Sequence, residues 1–146
     1  TQPNITLYTT QTPNGIKISI ALEELGIVVF LAPLEALVLM NCSQPYKVEK
    51  IDISKNTQKE EYVLTSLQLP TQTDLTSVQL VPKDNPNGRI PALTDTFSDG
   101  QEIRLFESGS ILEYLTEQYD TDYKISFPKG TREYYEMKSW LFFQNA

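Results

Sequence analysis

A carboxylate and a hydroxyl stand side by side at Glu107-Ser108, where Glu107-Ser108-Gly109-Ser110 opens a segment with Ile111, Leu112, Leu115 and Tyr119 at helical spacing. The first N–H groups of a helix have no carbonyl partner within it, and the helix dipole favours negative charge there. An acid and a hydroxyl beside those donors can hold a small zwitterion. Acids and hydroxyls are also favoured at any helix start, so an ordinary helix end is the competing reading. A second pair, Thr12 and Asn14 in Thr12-Pro13-Asn14-Gly15, has the types of a turn and a helix cap. Between them in the chain, Ile90-Pro91 stands at the mouth of an apolar stretch. A proline there fits a strand's first residue, and the bond is expected to be cis, a form that only X-Pro adopts at low cost. The Ile90 N–H and C=O would then face outward, where an extended peptide can pair with them.

The elements that must position these residues are legible from pattern. Ile5-Thr6-Leu7-Tyr8 predicts a short strand. The apolar spacing of Ile18, Ala21, Leu22 and Leu25 predicts a helix over 14–25, with Gly26 as a left-handed cap. Residues 46–52 alternate as a half-buried strand does, and 55–61 predict a loop leading into a short helix. Pro86 and Gly88 mark a turn, Ile90, Ala92 and Leu93 begin a strand, Asp99-Gly100 makes a hairpin turn, and 102–106 return with alternating faces. Strand, helix, strand, helix, hairpin and helix is the order of an α/β, thioredoxin-like βαβ–ββα unit. Its first two strands are parallel, because a helix crosses between them.

The chain has 146 residues and a formal charge of −7, suited to one core and ill suited to nucleic acid or an anionic membrane surface. No apolar run approaches the roughly 20 residues needed to span a bilayer, and no signal-peptide pattern opens the chain. The single cysteine, Cys42, excludes an intrachain disulfide, and the lack of histidine argues against zinc-type chemistry and histidine triads. A cytoplasmic protein without a metal is expected.

The string Asn85-Pro86-Asn87-Gly88-Arg89-Ile90-Pro91-Ala92-Leu93, followed by Glu107-Ser108-Gly109-Ser110-Ile111-Leu112-Glu113-Tyr114-Leu115, resembles the glutathione site of the glutathione transferase family. Thr12-Pro13-Asn14-Gly15 narrows the resemblance to the nu-class enzymes and the transferase-like domain of the fungal prion-forming nitrogen regulator. Trp140-Leu141-Phe142-Phe143-Gln144 resembles the start of that group's helical second domain. The resemblance implies that Glu107 accepts from the γ-glutamyl ammonium and that Ser108 holds the neighbouring carboxylate. It pairs Ile90, before Pro91, with the cysteinyl part of glutathione, and sets Gln58 and Arg89 at the glycyl end and the cysteinyl backbone. Thr12 and Asn14 would face the sulfur, where a donor lowers a thiol's pKa from its usual value near 8.5. Other classes of the family use a first-strand tyrosine. Tyr8 lies inside the strand, several residues before the turn, and is expected to pack in the core.

Two pieces interrupt the resemblance, 28–44 and 63–79, each of 17 residues, each beginning with valine and ending with glutamine. Valine codons begin GT and one glutamine codon ends AG, the letters that bound an intron, so two short introns translated in frame are expected. Lineage-specific loops are the alternative. The expected organisation is a transferase N-terminal domain over 4–120 carrying both insertions, a linker over 121–130, and the first helix of a truncated helical domain over 131–146. Trp140, Phe142 and Phe143 have no evident place to be buried, and an exposed patch of that kind marks an interface or an aggregation liability.

The function implied is glutathione binding with activation of its thiolate, for conjugation to a small electrophile or for disulfide reduction, in a family that forms homodimers. The alternatives are a non-enzymatic glutathione-binding regulator and an inactive truncated product.

Overall fold

A computed structural model describes residues 4–29, 44–55 and 88–145. In chain order the elements are β1 (Thr6–Thr9), α1 (Pro13–Glu24), β2 (Ile27–Val29), β3 (Gln44–Lys50), a 3-10 turn (Ile53–Lys55), β4 (Ala92–Thr96), β5 (Glu102–Phe106), α2 (Ser108–Tyr119) and α3 (Arg132–Phe143). The sheet has five strands in the order β2-β3-β1-β4-β5. β1 is parallel to β3 and antiparallel to β4, which pairs antiparallel with β5.

Alternation along β1 sends Leu7 and Tyr8 to opposite faces. Leu7 joins Ile18 and Leu22 of α1, Ile111 and Leu115 of α2, and Leu93 of β4 in the main core, with no exposed surface on any of them. Enclosing each such side chain contributes about 1.5–3 kcal/mol. The periodicity of α1 is therefore that of its buried stripe, and Gly26 ends it at φ 75°. Tyr8, on the other face, packs with Ala92, Ile51 and Ile90. The hairpin turns at Gly100, whose φ of 82° suits glycine, and the Asp99 carboxylate accepts from the Gln101 N–H at 2.9 Å.

Differences from the sequence reading are local. The second half-buried strand begins two residues early, at Gln44. Val28 and Val29, the start of the first interrupting piece, lie in β2, which adds a parallel edge to β3 in the register Ile27↔Gln44. Gln44, the last residue of that piece, opens β3, while 30–43, all of the second piece, and the loop and short helix expected over 55–61, apart from the first residue, lie outside the described residues.

A buried carboxylate ties β4 to the start of the chain and to α2. Asp95 on β4 is 1% exposed and accepts from the N–H groups of Asn4 (2.9 Å) and Thr96 (2.7 Å), from the Tyr114 hydroxyl (2.9 Å) and from the Tyr119 hydroxyl. Burial, reinforced by the Asp95 carboxylate, pushes both tyrosine hydroxyls well above their usual range. Asp120, at the end of α2, accepts from the Lys124 N–H (2.7 Å), the Ile125 N–H (3.0 Å) and the Ser126 hydroxyl (2.6 Å), folding 121–130 back on the helix. Burial alone would raise its carboxyl pKa, but these bonds outweigh it and hold the group below the usual carboxylate range. α3 then lies along α2. Tyr134 is buried, and the Lys138 ammonium reaches the Glu113 carboxylate at 2.5 Å. Its other face leaves Trp140, Phe142 and Phe143 exposed.

Candidate functional site

Strand register brings the three sequence motifs to one end of the sheet. Tyr8 pairs with Ala92, so Ile90-Pro91 enters β4 beside the loop that leaves the C-terminal end of β1. Ala92 also pairs with Phe106, so Glu107 follows directly beside Pro91. The loop after β1 carries Thr12 and Asn14 into α1. This end lies outside the carboxyl ends of the parallel strands β1 and β3, where open α/β sheets receive ligands. The Ile90-Pro91 bond is cis, as expected.

The two helices begin differently there. Thr12 is the N-cap of α1, its Oγ1 accepting from the Gly15 N–H at 3.1 Å. Gly15 is needed at that bend, because a Cβ there would stand 2.2 Å from Thr9 Oγ1 and 2.6 Å from the Thr10 carbonyl. Glu107 is the N-cap of α2, yet its side chain makes no capping bond, and its backbone sits at φ 67°, ψ 122°. A non-glycine residue held there costs about 1–3 kcal/mol. Ser108, by contrast, is buried, and its hydroxyl donates to Asn145 Oδ1 at 2.9 Å. The Asn14 side chain accepts from Lys17 Nζ at 2.8 Å.

Against family models, residues 7–123 match the glutathione S-transferase N-terminal domain. The chain belongs to that family. Among curated transferase relatives, it is 34% identical over 132 residues to the glutathione S-transferase-like protein gedE of Aspergillus terreus, covering 90% of this chain and 41% of that protein. It is 33% identical to the disulfide-bond oxidoreductase YfcG of Escherichia coli over 96% of this chain and 48% of that protein. Among solved transferase structures, that of URE2P6 from Phanerochaete chrysosporium, in complex with oxidized glutathione, matches with a TM-score of 0.67 and 33% identity, over 98% of this chain and 49% of that one. The chain thus spans less than half the length of these relatives. The resemblance to a glutathione transferase, including its fungal Ure2-like branch, is borne out, as is the thioredoxin-like fold.

Within this transferase domain, Thr12, Asn14, Ile90, Pro91, Glu107 and Ser108 converge, and Arg89 lies exposed just before them. Gln58 lies outside the described residues. Tyr8 is only 5% exposed beneath Ile90, in the core position expected of it. The sequence reading missed the contribution of α3's end. Gln144 and Asn145 reach across to Lys17 and Ser108, and short-range pattern gives no sign of contacts that close over such separations. It also missed a cavity of about 390 Å³ beside the N-terminus of α1, lined by Thr10, Gln11, Ile16, Ser19, Val48 and Lys50 among others. Among the described residues no group of three or more His, Cys, Asp or Glu could hold a metal, and no helix is long and apolar enough to cross a membrane.

Proposed function

We propose that the end of the sheet bounded by α1 and α2 is a glutathione site. Glu107 accepts from the γ-glutamyl ammonium, and the first-turn N–H groups of α2 with the Ser108 hydroxyl hold the adjacent carboxylate. Ile90, before Pro91, pairs with the cysteinyl backbone, assisted by Arg89, and Gln58 meets the glycyl end. The observation that carries this reading is Glu107 itself. Its acid stands at a helix start without capping it, on a backbone conformation that costs free energy. An ordinary helix end needs neither feature.

Thr12 and Asn14 face the sulfur in this reading. Thr12 Oγ1 accepts from Gly15, which leaves its hydroxyl proton for a thiolate, and the Asn14 NH₂ group is a second donor. Donors of this kind stabilise the thiolate and lower the thiol pKa. The reactions that follow are conjugation to a small electrophile or reduction of a disulfide. The similarity to a protein named disulfide-bond oxidoreductase supports including the second. Residues 4–120 would form the glutathione-binding domain, with 28–44 and 63–79 as additions to it. Residues 121–130 would form the linker and 131–146 the start of the helical region. The family's homodimer and a cytoplasmic location are part of the same reading.

Calorimetric titration with glutathione tests it. Glu107→Ala should weaken binding by about 1.5–3 kcal/mol, the range for a charge-assisted hydrogen bond. Equal affinity in the two proteins would make Glu107 a helix-end residue only. Ultraviolet titration of the bound thiol should show a higher pKa in Asn14→Ala with little change in affinity.

A further inference from the structure

The Ser108 hydroxyl has one proton, and in this structure that proton is engaged within the protein. It is donated to Asn145 Oδ1 at 2.9 Å. A carboxylate only accepts, so the Ser108 hydroxyl cannot serve it while the proton stays on Asn145, and only the backbone N–H groups can. Turning the asparagine amide end over end would return the proton by offering Nδ2 to Ser108 instead, but the neighbours oppose this. Asn145 Oδ1 also accepts from Gln144 Nε2, while Gln144 Oε1 accepts from Lys17 Nζ, which is held in turn on Asn14 Oδ1 at 2.8 Å. Reversing Asn145 would set its NH₂ group against that of Gln144. The bonds therefore run in one direction, from the Lys17 ammonium through Gln144 to Asn145, and fix the Asn145 oxygen as an acceptor. Gly109 makes room for this arrangement, since a Cβ there would lie 2.4 Å from Asn145 Nδ2.

We propose that Asn145 is a specificity-determining residue of the glutathione site, setting how tightly it takes the γ-glutamyl carboxylate by competing for the Ser108 proton. The inference rests on the glutathione reading above and adds the control exerted by the end of α3. For the carboxylate to take the Ser108 hydroxyl in addition to the backbone N–H groups, Asn145 must release it. An aspartate in its place would hold the proton more strongly and set a second negative charge beside the ligand's own.

Calorimetry with the full 146-residue chain and reduced glutathione gives the test. Asn145→Ala should bind glutathione about twofold to tenfold more tightly than the wild type, the worth of one neutral hydrogen bond. Asn145→Asp should bind about tenfold more weakly or worse. In a Ser108→Ala background the gain from Asn145→Ala should vanish, because the proton in dispute is gone. It should vanish as well with a glutathione analogue lacking the γ-glutamyl carboxylate, which a merely structural effect would not do. If Asn145→Ala binds no more tightly, or if its gain survives in Ser108→Ala, the inference is overturned while glutathione binding stands. If the wild type and Glu107→Ala both fail to bind, the glutathione reading falls and this inference falls with it.

Discussion

The starts of α1 and α2 stand at the same end of the sheet and are built in opposite ways. α1 is closed by its own sequence, with the Thr12 oxygen on the Gly15 N–H and no residue with a strained φ. α3 repeats that solution, its Thr131 oxygen accepting from the Tyr134 N–H at 3.2 Å. α2 keeps an acid at its N-cap, puts no side-chain cap on its N–H groups, and accepts positive φ at Glu107. Capping is worth about 1 kcal/mol and needs only a short polar residue at that position. A helix start that forgoes it, while the other two use it, gives up stability that a short polar cap would supply, and this supports the ligand role proposed for it. In the glutathione reading proposed above, the start of α2 would be the binding end, and the start of α1 a mount for Asn14 and the Thr12 hydroxyl.

Substitutions at the two starts should separate these roles. The largest effect on stability is expected from Gly15→Ala, whose new methyl meets a backbone carbonyl as well as Thr9. It should cost about 1–3 kcal/mol in denaturant unfolding, as overpacking does. Gly109→Ala, which meets only the tip of Asn145, should cost clearly less, and equal costs would dissolve the contrast. Thr12→Ala and Thr131→Ala should each lose about 1 kcal/mol for a lost cap. Glu107→Gly should go the other way. It relieves the positive φ at an entropic cost smaller than the strain, so the protein gains up to about 1 kcal/mol while losing the ammonium's partner. A less stable Glu107→Gly would mean that the acid supports its helix after all.

The smallest effect concerns the other end of α2, closed by Asp120. Its pKa is lowered in the folded protein, so its contribution is complete above the unfolded carboxylate value near 4 and is lost as pH falls through the lower folded value. The melting-temperature gap between wild type and Asp120→Asn should be constant near neutral pH and narrow only below about pH 4. A gap that closes between pH 5 and 7 would assign the sensitivity to another group.

The contrast between the helix starts was only half legible in the sequence. Local signals placed α1, the hairpin and α2 well, because apolar periodicity, Gly26 and Asp99-Gly100 act over a few residues. The spacing of the Ile90-Pro91 and Glu107-Ser108 motifs likewise pointed to one site, and register then brought the two together. What escaped was whatever closes over long separations. Asp95 has the look of a polar residue in an ordinary strand, yet it gathers donors from Asn4, Tyr114 and Tyr119. Asn145 gives no local hint of the Ser108 hydroxyl. The edge strand β2 was hidden because its valines belong to a piece that interrupts the family pattern. The bland and functional readings of Glu107 use the same residue type at the same position. The backbone angle and the absent capping bond are what favour the proposed role over the ordinary one.

The central claim, that the start of α2 receives the ligand's charged end while the start of α1 serves the sulfur, can be tested most directly by amide NMR. The titrant is a glutathione analogue with alanine in place of cysteine. The account predicts large saturable shifts at the Ser108 and Gly109 amides, small ones at Asn14 and Gly15 that grow when the sulfur is restored, and none at the start of α3. Shifts centred on α1 with the sulfur-free ligand, or an unmoved Ser108 under saturation, would contradict it.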